Sequence, residues 1–92
     1  MSDTIPGGWT AFNFELTPEA KKVFAEAVEL VGVKYTPFAF ATQVVAGTNY
    51  CYLSQALPVV PNARLRVVKV YIYQPLPGQG QAHITQIVEI NP

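Results

Sequence analysis

Two β-prone runs in the middle of the chain, residues 35–45 and 48–56, are joined by an apolar turn of five residues, 43–47. Hairpin turns are usually polar and rich in Asn, Asp and Gly, because those residues satisfy the turn backbone at low steric cost. This turn instead contains Val44 and Val45. Since valine is stiff at χ1 and favours extended structure, the pattern predicts a narrow, apolar and strained tip. Such a tip is suited to insertion into another molecule.

One amphipathic helix is predicted before this hairpin. Thr17 is suited to be its N-cap, and Pro18 to be its first residue, where the missing N–H is harmless. Gly32 can end the helix in the left-handed region. Apolar residues recur between them at helical spacing, at Ala20, Val23, Phe24, Ala27 and Val31.

Strand patterns are found on both sides of the helix and hairpin. A half-buried first strand is predicted to begin near Trp9, since apolar and polar residues alternate there. The apolar ones are Phe12, Phe14 and Leu16. Residues 65–73 predict a third strand after the helix. In the last strand, one face is expected to carry Ala82, Ile84, Val88 and Ile90, with Gln86 as the polar exception on that face. This order predicts an α+β fold, an antiparallel sheet of about five strands wrapped across one helix.

Composition indicates a single domain covering residues 1–92, with residues 1–8 as a flexible N-terminal segment. Six basic and six acidic residues give zero formal charge, so we expect neither nucleic acid nor an anionic membrane as a partner. No apolar run approaches the ~20 residues that span a bilayer. The first four residues do not look like a signal peptide, and the single Cys51 cannot form an internal disulfide.

Cys51 and His83 raise the alternative of a thiol-dependent enzyme. A nucleophilic thiolate needs a nearby imidazole and a low pKa, usually at a helix N-terminus, whereas Cys51 is predicted in mid-strand. One cysteine and one histidine also fall short of a zinc site. We therefore expect a protein that is not an enzyme and that needs no cofactor or metal.

Three motifs carry a resemblance to a known family. The segment Gln43-Val44-Val45-Ala46-Gly47-Thr48-Asn49-Tyr50 resembles the signature of the cystatins, protein inhibitors of papain-like cysteine proteases. Ile5-Pro6-Gly7-Gly8 resembles the N-terminal trunk of the intracellular cystatins called stefins, and Leu76-Pro77-Gly78-Gln79 resembles their second binding hairpin. The motifs occur in the family's order, and the resemblance spans nearly the whole chain.

The resemblance implies a cystatin-like fold and reversible, competitive, tight-binding inhibition of cathepsin-type proteases. It implies that the three motifs converge into a wedge, with the trunk in the unprimed subsites, residues 43–47 over the catalytic cysteine and Leu76-Pro77 on the primed side. The expected protease-binding residues are Ile5, Pro6, Gly7, Gly8, Gln43, Val44, Val45, Ala46, Gly47, Leu76, Pro77 and Gly78. A cytoplasmic location is expected, as is a monomer that can form a domain-swapped dimer.

Two departures from the stefin pattern keep alternatives open. The span between the N-terminal glycines and Gln43 is shorter than is usual in stefins, and the connection at residues 57–63 is longer. The alternatives are a non-inhibitory interaction module on a cystatin fold and an engineered binding scaffold, because fold alone does not define function.

Overall fold

A computed structural model describes residues 8–29 and 32–92. Within these residues the chain forms helix α1 (Pro18–Ala27) and strands β1 (Val33–Val45), β2 (Gly47–Pro58), β3 (Arg66–Gln74) and β4 (His83–Glu89). The strands form one antiparallel sheet in the order β1-β2-β3-β4. No helix in the described ranges is both long and apolar enough to cross a membrane.

Helix α1 begins as the sequence predicts. The Thr17 side chain accepts a hydrogen bond from the Ala20 amide at 3.1 Å, and Pro18 is the first helical residue. The predicted end at Gly32 is wrong, because the helix stops at Ala27 and Val28 is its C-cap. Gly32 does adopt a positive φ of +94°, but its carbonyl accepts the Val59 amide at 2.8 Å, so it forms the turn into β1.

The predicted first strand is absent from the sheet, which therefore has four strands and not about five. Residues 9–13 pair with β1 only through isolated bridges, Trp9 with Gln43 and Asn13 with Phe40. Two side chains compete with a regular ladder: the Thr10 hydroxyl accepts the Thr42 amide, and the Asn13 side chain accepts the Glu15 amide. Because these backbone donors are satisfied by side chains, the segment follows β1 without becoming a continuous strand.

The core lies between the helix and one face of the sheet. Phe24 of the helix meets Tyr52 of β2 edge-on, with 4.8 Å between ring centroids, and the Tyr52 hydroxyl donates to the Ala20 carbonyl at 2.7 Å. Tyr52 is fully buried, as a tyrosine can be when its hydroxyl has a partner. Val23, Val70 and Ile72 are buried in the same core cluster.

A β-bulge in β4 changes the predicted face of that strand. Tyr71 pairs with Gln86 but Ile72 pairs with Ile84, so one extra β4 residue lies between the two pairs. Beyond the bulge Ile87 is opposite buried Val70, and Val88 is opposite Lys69 on the other face. The prediction that Ile84 and Val88 share a face is therefore wrong, because an extra residue reverses the alternation.

Candidate functional site

The β1–β2 hairpin is tighter than the sequence predicts. Strand pairing continues to Val45 opposite Gly47, which leaves Ala46 as the single unpaired residue of the tip. Just before the tip, the Asn49 side-chain amide donates to the Gln43 side-chain oxygen at 2.8 Å across the two strands. Val44 is 51% exposed and Val45 42%. The predicted apolar tip is therefore present, as the narrow and exposed end of the β1–β2 ladder.

Gly47 is where the third strand approaches this tip. Its φ is +109°, and a Cβ added there would lie 2.6 Å from the Gln74 carbonyl oxygen and 2.8 Å from the Tyr73 hydroxyl. Both distances are shorter than real Cβ contacts allow, and L-residues rarely adopt this φ. The Tyr73 hydroxyl also donates a hydrogen bond to the Ala46 carbonyl. Glycine at position 47 thus permits β3 to hold the tip.

The connection from β3 to β4 leaves the sheet at the same end. Gln74, the last residue of β3, pairs with Thr48, which follows the tip directly. Leu76 is 51% exposed, and Pro77 and Gly78 are also exposed. The Gln79 amide donates to the Leu76 carbonyl at 2.9 Å, and Gly78 has a φ of +79°, so these residues form a turn. The second predicted element is therefore an exposed turn that carries an apolar side chain.

The N-terminal segment reaches this end of the sheet too. Trp9 forms a bridge with Gln43, and the Thr10 amide donates to the Thr42 carbonyl at 2.9 Å. Gly8 is thereby held next to the first hairpin, partly buried. The other predicted trunk residues, Ile5, Pro6 and Gly7, lie outside the described residues.

The end of the sheet formed by Gly8, residues 43–47 and residues 76–78 is called the tip surface below. It is apolar and uncharged: residues 35–63 and 70–82 contain no Asp, Glu, Lys, Arg or His. Such a surface suits insertion into a cleft, since no charge has to be desolvated. It offers no group for covalent chemistry.

Comparison of the chain with protein-family models, curated proteins and solved structures finds no match. The proposed function therefore depends on the geometry of the tip surface and on the motifs in the sequence.

Tyr73 is a site residue that sequence reasoning missed. Its hydroxyl contacts the hairpin tip 27 positions earlier in the chain, and its ring packs edge-on against His83 at 5.8 Å between centroids. In the sequence it is one of two alternating tyrosines of β3, with Tyr71. Only the register, which places Tyr73 opposite Asn49, distinguishes it from Tyr71.

Cys51 and His83 lie on strands that are not neighbours, since β3 separates β2 from β4. Cys51 is buried and is opposite Tyr71, while a His83 ring nitrogen lies 3.1 Å from the Gln81 carbonyl. Burial raises the pKa of the Cys51 thiol, although the Tyr71 hydroxyl and the charge of Lys69 act in the opposite direction. A raised pKa leaves little thiolate at neutral pH, which is unfavourable for nucleophilic attack.

Proposed function

We propose that this protein is a reversible, competitive inhibitor of papain-like cysteine proteases, built on a cystatin-like fold. The observation that carries the proposal is the exposed, uncharged hairpin tip at Val44 and Val45, next to the exposed turn at Leu76 and Pro77. The resemblance of both segments, and of residues 5–8, to the contact motifs of stefins supports the same conclusion. One helix on an antiparallel sheet is compatible with that fold.

Affinity for the protease would come from burial of the preformed, apolar tip surface. Removing apolar surface from water contributes roughly 25 cal/mol per Å². The tip is held in place before binding by the Tyr73–Ala46 hydrogen bond and by the Asn49–Gln43 side-chain pair. A rigid segment loses little conformational entropy on binding, so more of the burial energy appears as affinity.

Inhibition would follow from occlusion of the cleft. In this proposal residues 43–47 cover the catalytic cysteine of the protease, and Leu76 and Pro77 contact the primed side. Ile5, Pro6 and Gly7 extend along the unprimed subsites from their attachment at Gly8. No peptide bond of the inhibitor is presented to the nucleophile for cleavage, so the complex forms and dissociates without an acyl intermediate.

A second candidate is a non-inhibitory interaction module or an engineered binding scaffold on the same fold. It is favoured by the connection between β2 and β3, at the opposite end of the sheet from the tip surface. Val59 there is 71% exposed and Val60 60%. Apolar residues exposed together can mark a binding surface. A protein that uses this end would not need an intact tip surface.

The test is kinetic titration against papain, whose active sites are first quantified, and against one cathepsin with a partly occluded cleft. We expect competitive, reversible inhibition of both enzymes and none of serine or metalloproteases. A chain lacking residues 1–7 should dissociate faster, with the larger effect on the occluded enzyme, because the trunk holds the inhibitor while the occluding segment is displaced. If the full chain at about micromolar concentration leaves both enzymes fully active, the scaffold function replaces the inhibitor function.

A further inference from the structure

The sheet face opposite the helix holds a cavity of about 190 Å³, which the inhibitor proposal does not use. Its floor is formed by small side chains, those of Ala41 and Cys51, which are only 3% and 4% exposed. The remaining lining residues are Trp9, Thr10, Phe12, Lys69 and Tyr71. The cavity is thus separate from the tip surface, although Trp9 adjoins both.

The cavity exists because small residues are opposite one another in the register. Ala41 pairs with Cys51, and Cys51 pairs with Tyr71, so two short side chains lie side by side in the middle of the face. Trp9 crosses toward them from the N-terminal segment and meets Tyr71 edge-on, with 6.0 Å between ring centroids. Aromatic rings therefore form walls around a floor that no side chain fills. The volume of this open cavity is sufficient for one aromatic ring, since a cavity of ~150 Å³ can hold benzene.

Lys69 is the only charged side chain among the described lining residues. The described part of the chain contains one ion pair, Arg66 with Glu89, so Lys69 has no carboxylate partner within it. Three uncharged groups also line the cavity: the Thr10 hydroxyl, which accepts the Thr42 amide, the Cys51 thiol and the Tyr71 hydroxyl. Burial raises the pKa of the Cys51 thiol and of the Tyr71 hydroxyl, so both are neutral at pH 7 and the cavity has a net positive charge.

We propose that this cavity binds a small aromatic carboxylate. The ring lies over Ala41 and Cys51 between the Trp9 and Phe12 side chains, and the carboxylate accepts hydrogen bonds from the Lys69 ammonium. An aromatic body matches the walls, which favour edge-on and offset ring contacts. An anion matches the lysine, since a charge-assisted hydrogen bond is stronger than a neutral one.

The probe is 3-phenylpropanoate, and its neutral amide, 3-phenylpropanamide, is the comparison compound. Trp9 is the only tryptophan, so its fluorescence reports binding directly, and amide NMR shifts at Ala41, Cys51 and Lys69 locate the site. We expect saturable binding of the acid, about tenfold tighter than that of the amide at low ionic strength, where charges are least screened.

Two variants and one control separate ring recognition from charge recognition. Lys69→Met should make acid and amide bind equally, whereas Lys34→Met, a lysine at the far end of β1, should leave the difference unchanged. Ala41→Leu should abolish binding of both compounds, because the leucine side chain would occupy the cavity. Circular dichroism shows whether this variant is folded. If it is not folded, the proposal is tested by Lys69→Met alone. The proposal is overturned if neither compound gives a saturable shift up to about 10 mM, or if wild type binds both alike.

Discussion

The hydroxyl of Tyr73, near the end of β3, donates a hydrogen bond to the carbonyl of Ala46, the one unpaired residue of the β1–β2 hairpin. The third strand thereby supports the tip of the first hairpin from the side. A hairpin end with a single unpaired residue has few backbone contacts of its own. The tyrosine supplies a further contact to the tip.

Removing this hydroxyl should loosen the tip. We expect Tyr73→Phe to lower the free energy of unfolding by about 1 kcal/mol, the usual net contribution of one hydrogen bond. Protease inhibition should weaken several-fold through faster dissociation. Tyr35→Phe is the control, because Tyr35 packs against the core near the other end of β1. Equal inhibition by the two variants would show that Tyr73 does not organise the tip.

Gly47→Ala should lower the free energy of unfolding by more than the cost of placing alanine at a positive φ. The added Cβ would contact the Gln74 carbonyl oxygen and the Tyr73 hydroxyl, so β3 must move away from the tip. Gly32→Ala is the matched control, since Gly32 also has a positive φ but nothing within 4 Å of its added Cβ. Alanine at such a φ costs about 1–2 kcal/mol of stability, and we expect a larger loss at position 47. Chemical denaturation of both variants measures the difference.

A charge on the tip should abolish tight binding without unfolding the protein. Val45→Asp would place a carboxylate in a dry protease cleft, where an unpaired charge is strongly unfavourable. Val60→Asp is the control, since Val60 is exposed at the opposite end of the sheet. We expect inhibition of papain to fall at least about a hundredfold for the first variant, equivalent to ~2.7 kcal/mol, and to be unchanged for the second. If Val60→Asp weakens inhibition and Val45→Asp does not, the β2–β3 connection is the binding surface.

Stability should decrease at alkaline pH. Burial, with smaller contributions from Tyr50 and Glu19, raises the pKa of Tyr52, and burial followed by Glu19 raises that of Tyr50. An unfolded tyrosine loses its proton near pH 10, where the folded one keeps it. The stabilisation is therefore complete below about pH 10 and is lost as the pH rises further.

Urea denaturation between pH 8 and 11 tests this dependence. We expect the free energy of unfolding to be flat at first and then to fall, by up to about 1.4 kcal/mol per pH unit for each such tyrosine. Tyr52→Phe should be less stable at pH 8, because it lacks the hydrogen bond to the Ala20 carbonyl, but should show a shallower alkaline decline. An identical decline in both proteins would contradict the role of Tyr52.

Warming at high concentration should produce a domain-swapped dimer. If the chain opens at Ala46, β1 and β2 become one long strand, and two molecules can exchange the segment that precedes it. The strain predicted from the two valines of the tip would be relieved in this form. We expect a monomer at low concentration and a slowly formed dimer after heating, with inhibition lost because the tip no longer exists. Size-exclusion chromatography followed by papain titration measures both; a chain that stays monomeric until it aggregates irreversibly would argue against exchange.

Features that depend on residues close together in the sequence can be predicted from it. The start of the helix follows from Thr17 and Pro18, because an N-cap and a first-turn proline act within one turn. The two strands of the first hairpin and its apolar tip follow from alternation and from Val44 and Val45. Local preference and the final structure agree at each of these places.

Features that depend on partners far along the chain were decided by the tertiary structure. Hydrogen bonds accepted by the side chains of Thr10 and Asn13 interrupt the first strand, and one extra residue in β4 moves Val88 to the other face. The contact of Tyr73 with Ala46, and the cavity over Ala41, depend on the register of three strands. Sequence alternation shows which residues share a face only where a strand has no bulge, and the register is set by hydrogen bonds and packing between residues distant in sequence.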